Sequence, residues 1–241
     1  MKKILLLCIV ICSTQMATAQ WFGNKSVKGN GDLTTKTFNT SDYDGVAVAG
    51  SMDVVLIPGT EGKIKVEAES NIMEHLKVEV SGGKLIIGTK NNTNINPRKP
   101  ITVTVPVKSI DYASVSGSGE IKSDMTLKAR NMRLKVSGSG DMNLTIEAEN
   151  LKASVTGSGD MNIAGRAENL DASVTGSGDL NTYKLKANHV EASVTGSGDL
   201  AVYINGGDLK ARVTGSGDIR YKGTTRNVDK KVTGSGDIDK M

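Results

Sequence analysis

The chain of 241 residues is poor in cysteine and in aromatic residues. Its two cysteines, Cys8 and Cys12, both lie near the N-terminus, and aromatic residues make up 3% of the chain. If the N-terminal segment is removed on export, no thiolate remains to act as a nucleophile or as a zinc ligand, and no disulfide can form. The near balance of 30 Lys and Arg with 26 Asp and Glu gives no electrostatic reason to expect a nucleic-acid partner.

Long apolar runs are also missing, apart from one short run at the N-terminus. Two lysines precede the run Ile4–Ile11, and Ala17–Ala19 provides an A-x-A cleavage motif. This pattern predicts a secretory signal peptide over residues 1–19, because the run is too short to span a bilayer. We therefore expect no transmembrane segment and an exported protein, located in the periplasm, on the outer-membrane surface or outside the cell. Residues 20–36 are predicted to be a flexible leader.

A Gly-Ser-Gly triplet recurs along the second half of the chain, and most copies are followed by an aspartate. The copies are spaced 19 to 21 residues apart. A fixed period near twenty residues indicates a solenoid, in which each repeat buries its apolar face against its neighbours. The triplets begin at Gly117, Gly138, Gly157, Gly176, Gly196, Gly215 and Gly234.

Apolar residues occupy every second position on both sides of each triplet. Leu151, Ala153 and Val155 precede one triplet, and Met161 and Ile163 follow it. This alternation predicts two strands with one buried face, joined by the glycine corner. Strands stacked in register between successive coils are parallel, and the usual crossover rule favours a right-handed turn. The sequence thus predicts an all-β, right-handed parallel β-helix with about 19–21 residues per coil.

The repeat is degenerate before residue 111. We predict a single β-helical domain over residues 37–241, with irregular, wider coils over 37–110 and regular coils over 111–241. A second corner is marked by a polar residue seven positions before most triplets, and by Asn188 eight positions before the triplet in a longer coil. Stacked at strand spacing, these residues are expected to form an asparagine ladder. The other positions are Asn131, Asn150, Asn169, Asp208 and Asn227.

The chain resembles the auto-transporter adhesin head domains known as GIN domains. The resemblance is carried by Gly45–Ile57, Lys63–Asn71, Leu76–Ile87 and the Gly-Ser-Gly-Asp copies that begin at Ser114–Ile121. It implies a β-helical fold and a surface or periplasmic setting in Gram-negative bacteria. The family has no established activity, so the resemblance implies no catalytic residues and no cofactor.

The acidic residues after the triplets are predicted to form one column along the stack. Neighbouring carboxylates about 4.8 Å apart repel each other by roughly 1 kcal/mol even in water, so something must offset this repulsion. Hydrogen bonds from turn amides are the favoured explanation. The motif also resembles half of a calcium β-roll signal, which leaves calcium as an alternative. The aspartates concerned are Asp141, Asp160, Asp179, Asp199 and Asp218.

Outward-facing columns of Thr and Ser are expected on one face of the β-helix. In two adjacent coils, Tyr183 and Tyr203 each lie four residues after the acidic residue that follows the triplet. The two tyrosines are the candidate ligand contacts. The main hypothesis is a non-enzymatic binding or adhesion scaffold for a glycan or for a host or envelope protein surface. A carbohydrate-active β-helix enzyme is one alternative. A structural cell-envelope protein, forming homo-oligomers through the helix ends, is another.

Overall fold

The computed structural model describes residues 26–90 and 93–241. The predicted signal peptide over residues 1–19 and the start of the predicted leader, residues 20–25, lie outside the described residues. Strand accounts for 73% of the structure and helix for 2%, which confirms the all-β class. Within the described ranges, no helix is long and apolar enough to cross a membrane.

Alternating apolar and polar residues form nearly all of the strands, because every second side chain of a strand points to the same face. Ile101–Val107, for example, alternates strictly between buried and half-buried positions. The elements in chain order are β1 Val27–Lys28, β2 Leu33–Asn39, β3 Gly45–Gly50, β4 Met52–Pro58, β5 Lys63–Glu69, α1 Ser70–Met73, β6 Leu76–Ser81, β7 Lys84–Thr89, β8 Ile95–Asn96, β9 Ile101–Val107, β10 Tyr112–Gly117, β11 Glu120–Gly138, β12 Asp141–Gly157, β13 Met161–Gly176, β14 Leu180–Gly196, β15 Leu200–Asn205, β16 Asp208–Gly215, β17 Ile219–Thr224, β18 Asn227–Gly234 and β19 Ile238–Lys240.

From β10 onward, each coil lies on the preceding coil with parallel strands in register. Val155 pairs with Val136 on one side and with Val174 on the other, and the corner glycines pair in the same way. The longer coils accommodate their extra residues in register shifts, one of which lies between Lys122 and Thr126. The predicted parallel β-helix is therefore confirmed, with about 7 turns.

The inward residues of all coils form one continuous core. Val155 and Val174 are each 1% exposed, and Ala153, two residues before Val155 on the same strand, is fully buried. The same core cluster extends from Tyr43 near the N-terminus to Ile238 in the last strand. Burying one such aliphatic side chain contributes about 1.5–3 kcal/mol, and a single coil has no opposite layer against which to bury it. Stacking therefore provides most of the stability.

The corners require both glycines of the Gly-Ser-Gly triplet, because successive coils approach each other closely there. Gly176 has a φ of 119°, and a Cβ built on it would lie 2.3 Å from the carbonyl oxygen of Gly157. A Cβ built on Gly178 would lie 2.1 Å from the carbonyl oxygen of Gly159. The Gly157 carbonyl accepts hydrogen bonds from the amides of Ser177 and Gly178, at 2.8 and 3.0 Å. The triplet thus serves the stacking of coils as much as the turn.

The N-terminal coils are irregular because their order in the stack differs from their order in the chain. β3 pairs in parallel with both β7 and β10, and β4 pairs in parallel with both β9 and β11. The coil Gly45–Pro58 therefore lies between segments that follow it in sequence. Beyond this coil the pairing becomes antiparallel, in β2 with β5, β5 with β9 and β6 with β7. These antiparallel strands form the N-terminal end of the solenoid.

The predicted flexible leader needs correction where the structure describes it. β1 pairs with β8, and β2 pairs with β5 from Leu33 opposite Glu69 to Asn39 opposite Lys63. Residues 33–36 are therefore part of a strand. Threonine is a favourable strand residue, but a threonine-rich edge strand shows little apolar alternation, so the periodicity did not reveal it.

The buried carboxyl of Glu69 connects three segments of this N-terminal region. Glu69 is fully buried and accepts hydrogen bonds from the amides of Gly31 at 2.5 Å, Arg98 at 2.8 Å and Lys99 at 3.4 Å. Burial acts to raise the pKa of Glu69, but the amide donors outweigh it and hold the pKa below its ordinary value. A Cβ on Gly29 would lie 2.0 Å from the carboxylate, so this glycine leaves the space that the carboxylate occupies.

Candidate functional site

One exposed face of the solenoid carries two columns of hydroxyl side chains. We call it the front sheet: the strands β7, β3 and β10, the part of β11–β14 before each corner, and β16 and β18. The threonines of one column are exposed, and the serines of the column beside it are half-buried. Neighbouring strands lie about 4.8 Å apart, so the hydroxyls repeat at that spacing. In register are Thr156, Thr175, Thr195, Thr214 and Thr233, and beside them Ser154, Ser173 and Ser193.

The acidic column is linked from coil to coil by hydrogen bonds between side chain and backbone. Asp141 Oδ1 accepts from the amide of Asp160 at 3.1 Å, and Asp160 Oδ1 accepts from the amide of Asp179 at 3.0 Å. The series continues through Asp199 and Asp218, at 2.8 and 3.0 Å. The donor is the next aspartate's own amide, rather than the Gly and Ser amides of the turn that we expected. Each carboxylate therefore caps the backbone at the point where the chain leaves the corner.

The hydrogen bonds of the acidic column are those expected of backbone capping. Among the described residues, no group of three or more His, Cys, Asp or Glu side chains is arranged to hold a metal ion. The guanidinium of Arg220 lies 3.4 Å from Asp199 and 3.3 Å from Asp218. The guanidinium of Arg220 thus offsets part of the repulsion between the carboxylates at the C-terminal end of the acidic column.

The two candidate tyrosines are not stacked in register. One extra residue in β14 shifts the pairing around Tyr183, and Tyr203 pairs instead with Lys186 on one side and Lys222 on the other. Both rings are half-buried. They are related through Lys222, whose Nζ lies 4.8 Å from the ring centroid of Tyr183 and 5.3 Å from that of Tyr203. Equal offset in sequence therefore did not produce an aromatic stack.

An asparagine ladder forms beside the front sheet, but it is shorter than predicted. Asn150 Nδ2 donates to Asn131 Oδ1, and Asn169 Nδ2 donates to Asn150 Oδ1, both at 2.8 Å. The next position in register is His189 rather than Asn188. Asn188 donates instead to Glu168 at 2.7 Å and accepts from Asn205 at 3.2 Å, because the extra residue of its coil moves it out of the column.

The sequence reasoning missed a second asparagine column on the strands that follow the corners. Asn143, Asn162 and Asn181 are in register. Asn162 Nδ2 donates to Asn143 Oδ1 at 3.1 Å, and Asn143 Nδ2 donates to Glu120 at 3.0 Å. The signal was an asparagine two residues after the acidic residue in three successive copies.

A groove, which we call the axial groove, runs beside the first asparagine ladder along the edge of the front sheet. It consists of an upper hollow of about 570 Å³, toward the N-terminal end of the solenoid, and a lower hollow of about 450 Å³, toward its C-terminal end. The two hollows share Asn169 and Asp171. One wall is formed by the residues of the asparagine ladder column, and the other by a column of mostly charged residues. Apolar residues such as Leu151 lie between the two walls. The charged column in stacking order is Lys84, Gly45, Tyr112, Arg133, Lys152, Asp171, Glu191, Lys210 and Asp229, with Gly45 and Tyr112 as its uncharged members.

Most charges in the lower part of the groove are paired. Lys152 contacts Asp171, and Lys210 contacts Glu191, both at 2.5 Å. Asp208, in the ladder column, accepts hydrogen bonds from Arg226 and Asn227, which lower its pKa to about 2. These pairs lie at the surface, so each contributes little stability. Asp229 is paired in the same way with Arg212, so the lower groove has little unpaired charge of either sign.

The fold and these surfaces define an all-β parallel solenoid whose exposed faces repeat polar side chains from coil to coil. The chain belongs to the family described as "Putative auto-transporter adhesin, head GIN domain", whose model matches residues 42–225. The family resemblance drawn from the sequence is thereby confirmed.

Solved structures from Bacteroides and Parabacteroides species share this fold. A "putative adhesin" from Bacteroides fragilis matches with a TM-score of 0.82 at 20% identity, and one from Parabacteroides distasonis with 0.73 at 28%. A "putative lipid binding protein" from Parabacteroides distasonis matches with a TM-score of 0.75 at 27% identity. Each match covers 90% of this chain and 100% of the other. No curated protein matches the chain.

Proposed function

We propose that the protein is an exported, non-enzymatic binding scaffold of the adhesin type. The observation that carries this proposal is the front sheet, where exposed threonines lie in register on consecutive strands. The family and the relatives called adhesins support the same role. The N-terminal sequence pattern supports export.

The proposed mechanism is multivalent contact along a rigid face. A single hydroxyl contributes little to binding, because its bond to a ligand replaces a bond to water. Repetition at a fixed spacing allows many weak contacts to act together, since each later contact forms at high effective concentration. The ligands that suit such a face are extended and polar, such as a glycan or an envelope or host protein surface.

The front sheet is tested by measuring binding of the purified protein to a glycan and extracellular-matrix array. Thr175→Arg combined with Thr195→Arg should reduce binding at least tenfold, because two bulky charges then project from the flat face. Thr35→Arg combined with Thr37→Arg is the matched control, since both threonines are exposed but lie on β2, outside the front sheet. Binding to no ligand class, or equal loss in the control, would remove the support for this proposal.

The enzyme alternative has a direct test as well. His75 lies 3.6 Å from Glu74 in the N-terminal region, and His189 lies 3.4 Å from Asp208 in the axial groove, so the two histidines belong to separate parts of the solenoid. Incubation with polysaccharides should release no reducing ends. Release that a single carboxylate substitution abolishes would establish an enzyme instead.

A structural envelope role is the second candidate, because strand β18 is exposed along its whole length. Val228 and Val232 on this strand are 39% and 42% exposed, and an edge strand offers unpaired backbone groups to another chain. Sedimentation should then detect oligomers that Val232→Lys disperses. A monomer at all concentrations would contradict assembly through this edge.

A further inference from the structure

The axial groove is long enough to hold several units of a polymer. Its charged column extends from Lys84 to Asp229 over eight strand spacings. At about 4.8 Å per spacing, this is a length of about 38 Å. The groove differs from the front sheet because it is concave and combines amides, charges and an aromatic ring.

The ladder wall suits a partner rich in hydroxyl groups. Each asparagine amide nitrogen carries two N–H donors, and the ladder uses one donor of Asn150 and one of Asn169. The second donor of each side chain remains available for a ligand. Asn131, Asn150 and Asn169 all line the upper hollow, so these donors repeat along the groove at the strand spacing.

The charged wall is asymmetric along its length. In the lower part, Lys152 and Lys210 are each paired with a carboxylate. At the upper end, Lys84 and Arg133 have no carboxylate within ion-pair distance among the residues that the structure describes. Asp111 also lines this end, so the local balance of the unpaired groups is one positive charge.

Lys84 is held in position by its neighbours on the front sheet. Its Nζ lies 4.0 Å from the centroid of the Tyr112 ring, although Gly45 stands between the two residues in the column. Gly45 permits this reach because it has no side chain. A Cβ there would lie 3.0 Å from the Cβ of Tyr112. Arg133 is the partner of Tyr112 on the next strand, so the two cations flank one ring.

We propose that the axial groove binds a largely neutral polysaccharide that carries a carboxylate-bearing sugar at the Lys84–Arg133 end. The two unpaired cations would bind the carboxylate through charge-assisted hydrogen bonds, and the asparagine donors would bind sugar hydroxyls further along. In the lower groove the cations Lys152, Lys210 and Arg212 are already paired with Asp171, Glu191 and Asp229, so a ligand that is anionic along its whole length would find no unpaired cation there. This proposal rests on the binding role proposed above but assigns it to the groove along the edge of the front sheet rather than to the columns of hydroxyl side chains.

Calorimetric titration with a graded set of probes tests the assignment. The probes are a xylo-oligosaccharide bearing one terminal glucuronate, the same oligosaccharide without it, an oligogalacturonate and an oligoglutamate peptide. The singly charged sugar should bind at least tenfold more tightly than the others, equivalent to about 1.4 kcal/mol. Its affinity should fall as salt is raised, because screening weakens exposed charge contacts.

Two double variants distinguish binding in the groove from a general effect of the protein's positive charge. Lys84→Gln with Arg133→Gln should reduce the affinity for the singly charged sugar at least tenfold. Lys63→Gln with Lys65→Gln removes the same charge from two exposed positions of β5, which lies outside the front sheet, and neither residue lines the groove. This control should bind normally. Melting temperatures should show that both variants fold.

The outcomes are distinguishable. Equal binding of charged and neutral sugars, tighter binding of the oligogalacturonate or the peptide, or equal loss in both double variants would overturn the groove assignment. No binding of any probe, while the array detects a ligand that Thr175→Arg with Thr195→Arg disrupts, would overturn it and leave the front-sheet function intact. No binding in either experiment would contradict both proposals.

Discussion

The side chain of Asp160 accepts a hydrogen bond from the backbone amide of Asp179, 3.0 Å away in the next coil. The same bond recurs from coil to coil between Asp141 and Asp237. The carbonyl oxygen of Asp179 in turn accepts from the amide of Met161, at 2.9 Å. The aspartate column therefore connects coils, which explains the aspartate after the corner from Asp141 to Asp218; before it, the amide of Asp141 donates to the Gly119 carbonyl at 3.0 Å.

Removing one acceptor from this column should cost modest stability. Asp160→Ala leaves the amide of Asp179 without its partner, and we expect a loss of about 1 kcal/mol in the free energy of unfolding. Asp160→Asn keeps an acceptor oxygen and should lose less. Urea unfolding monitored by circular dichroism measures both. An equal loss in the two variants would show that charge, rather than acceptance of the amide, is what matters.

Calcium should have no effect on stability if the aspartates only cap the backbone. We expect the same melting temperature in EDTA and in millimolar calcium, because a ligand that binds only the folded state would raise it. A rise in calcium that Asp160→Asn and Asp179→Asn together abolish would restore the calcium interpretation. Magnesium serves as the control for a general ionic effect.

Substitution of a corner glycine should be far more damaging than substitution of the serine beside it. Gly178→Ala places a Cβ about where the Gly159 carbonyl oxygen already lies, 2.1 Å away, so we expect a loss of more than about 3 kcal/mol. Ser177→Ala is the matched control, since Ser177 is exposed and should change stability by less than about 0.5 kcal/mol. Urea midpoints provide the comparison. Similar effects in both variants would contradict the close approach of the coils.

The buried carboxylate of Glu69 should make the N-terminal region sensitive to acid. Because its pKa is lower in the folded state than in the unfolded chain, its contribution is fully present above the ordinary pKa of a glutamate in the unfolded chain. That contribution is lost as the pH falls through the folded value. Glu69→Gln should destabilise the protein at pH 7, with a difference that narrows in acid. Glu67→Gln, on the exposed face of the same strand, should have little effect at any pH.

The two tyrosines near Lys222 remain candidate ligand contacts, and a double substitution tests them. Tyr183→Ala with Tyr203→Ala should weaken binding of any ligand that the array detects, because both rings are half-exposed and close to one cation. Tyr183→Phe with Tyr203→Phe keeps the rings and should preserve most of the affinity. Unchanged binding in the alanine variant would remove these residues from the site.

The regular coils could be predicted because the alternation of apolar residues and the spacing of the Gly-Ser-Gly triplets are both visible in the sequence itself. The alternation in Leu151, Ala153 and Val155 specifies which side chains point inward, and a period of 19 to 21 residues places equivalent residues of adjacent coils side by side. The chain between Thr37 and Ile110 is harder, because its antiparallel strands and inserted coil depend on contacts that sequence order does not reveal. The strand that begins at Leu33 was missed because its threonine-rich sequence shows little apolar alternation.

The sequence by itself determined the strand–corner–strand repeat, the buried columns and the acidic column, since each follows from a residue type recurring at a fixed interval. Only the tertiary structure decided which groups these residues contact. One extra residue in a coil separates Tyr183 from Tyr203 and replaces Asn188 by His189 in the ladder. The axial groove likewise exists only when Lys84, Tyr112 and Arg133 come together from separate coils. Stacking turns small differences in loop length into different neighbours, and periodicity alone does not contain that information.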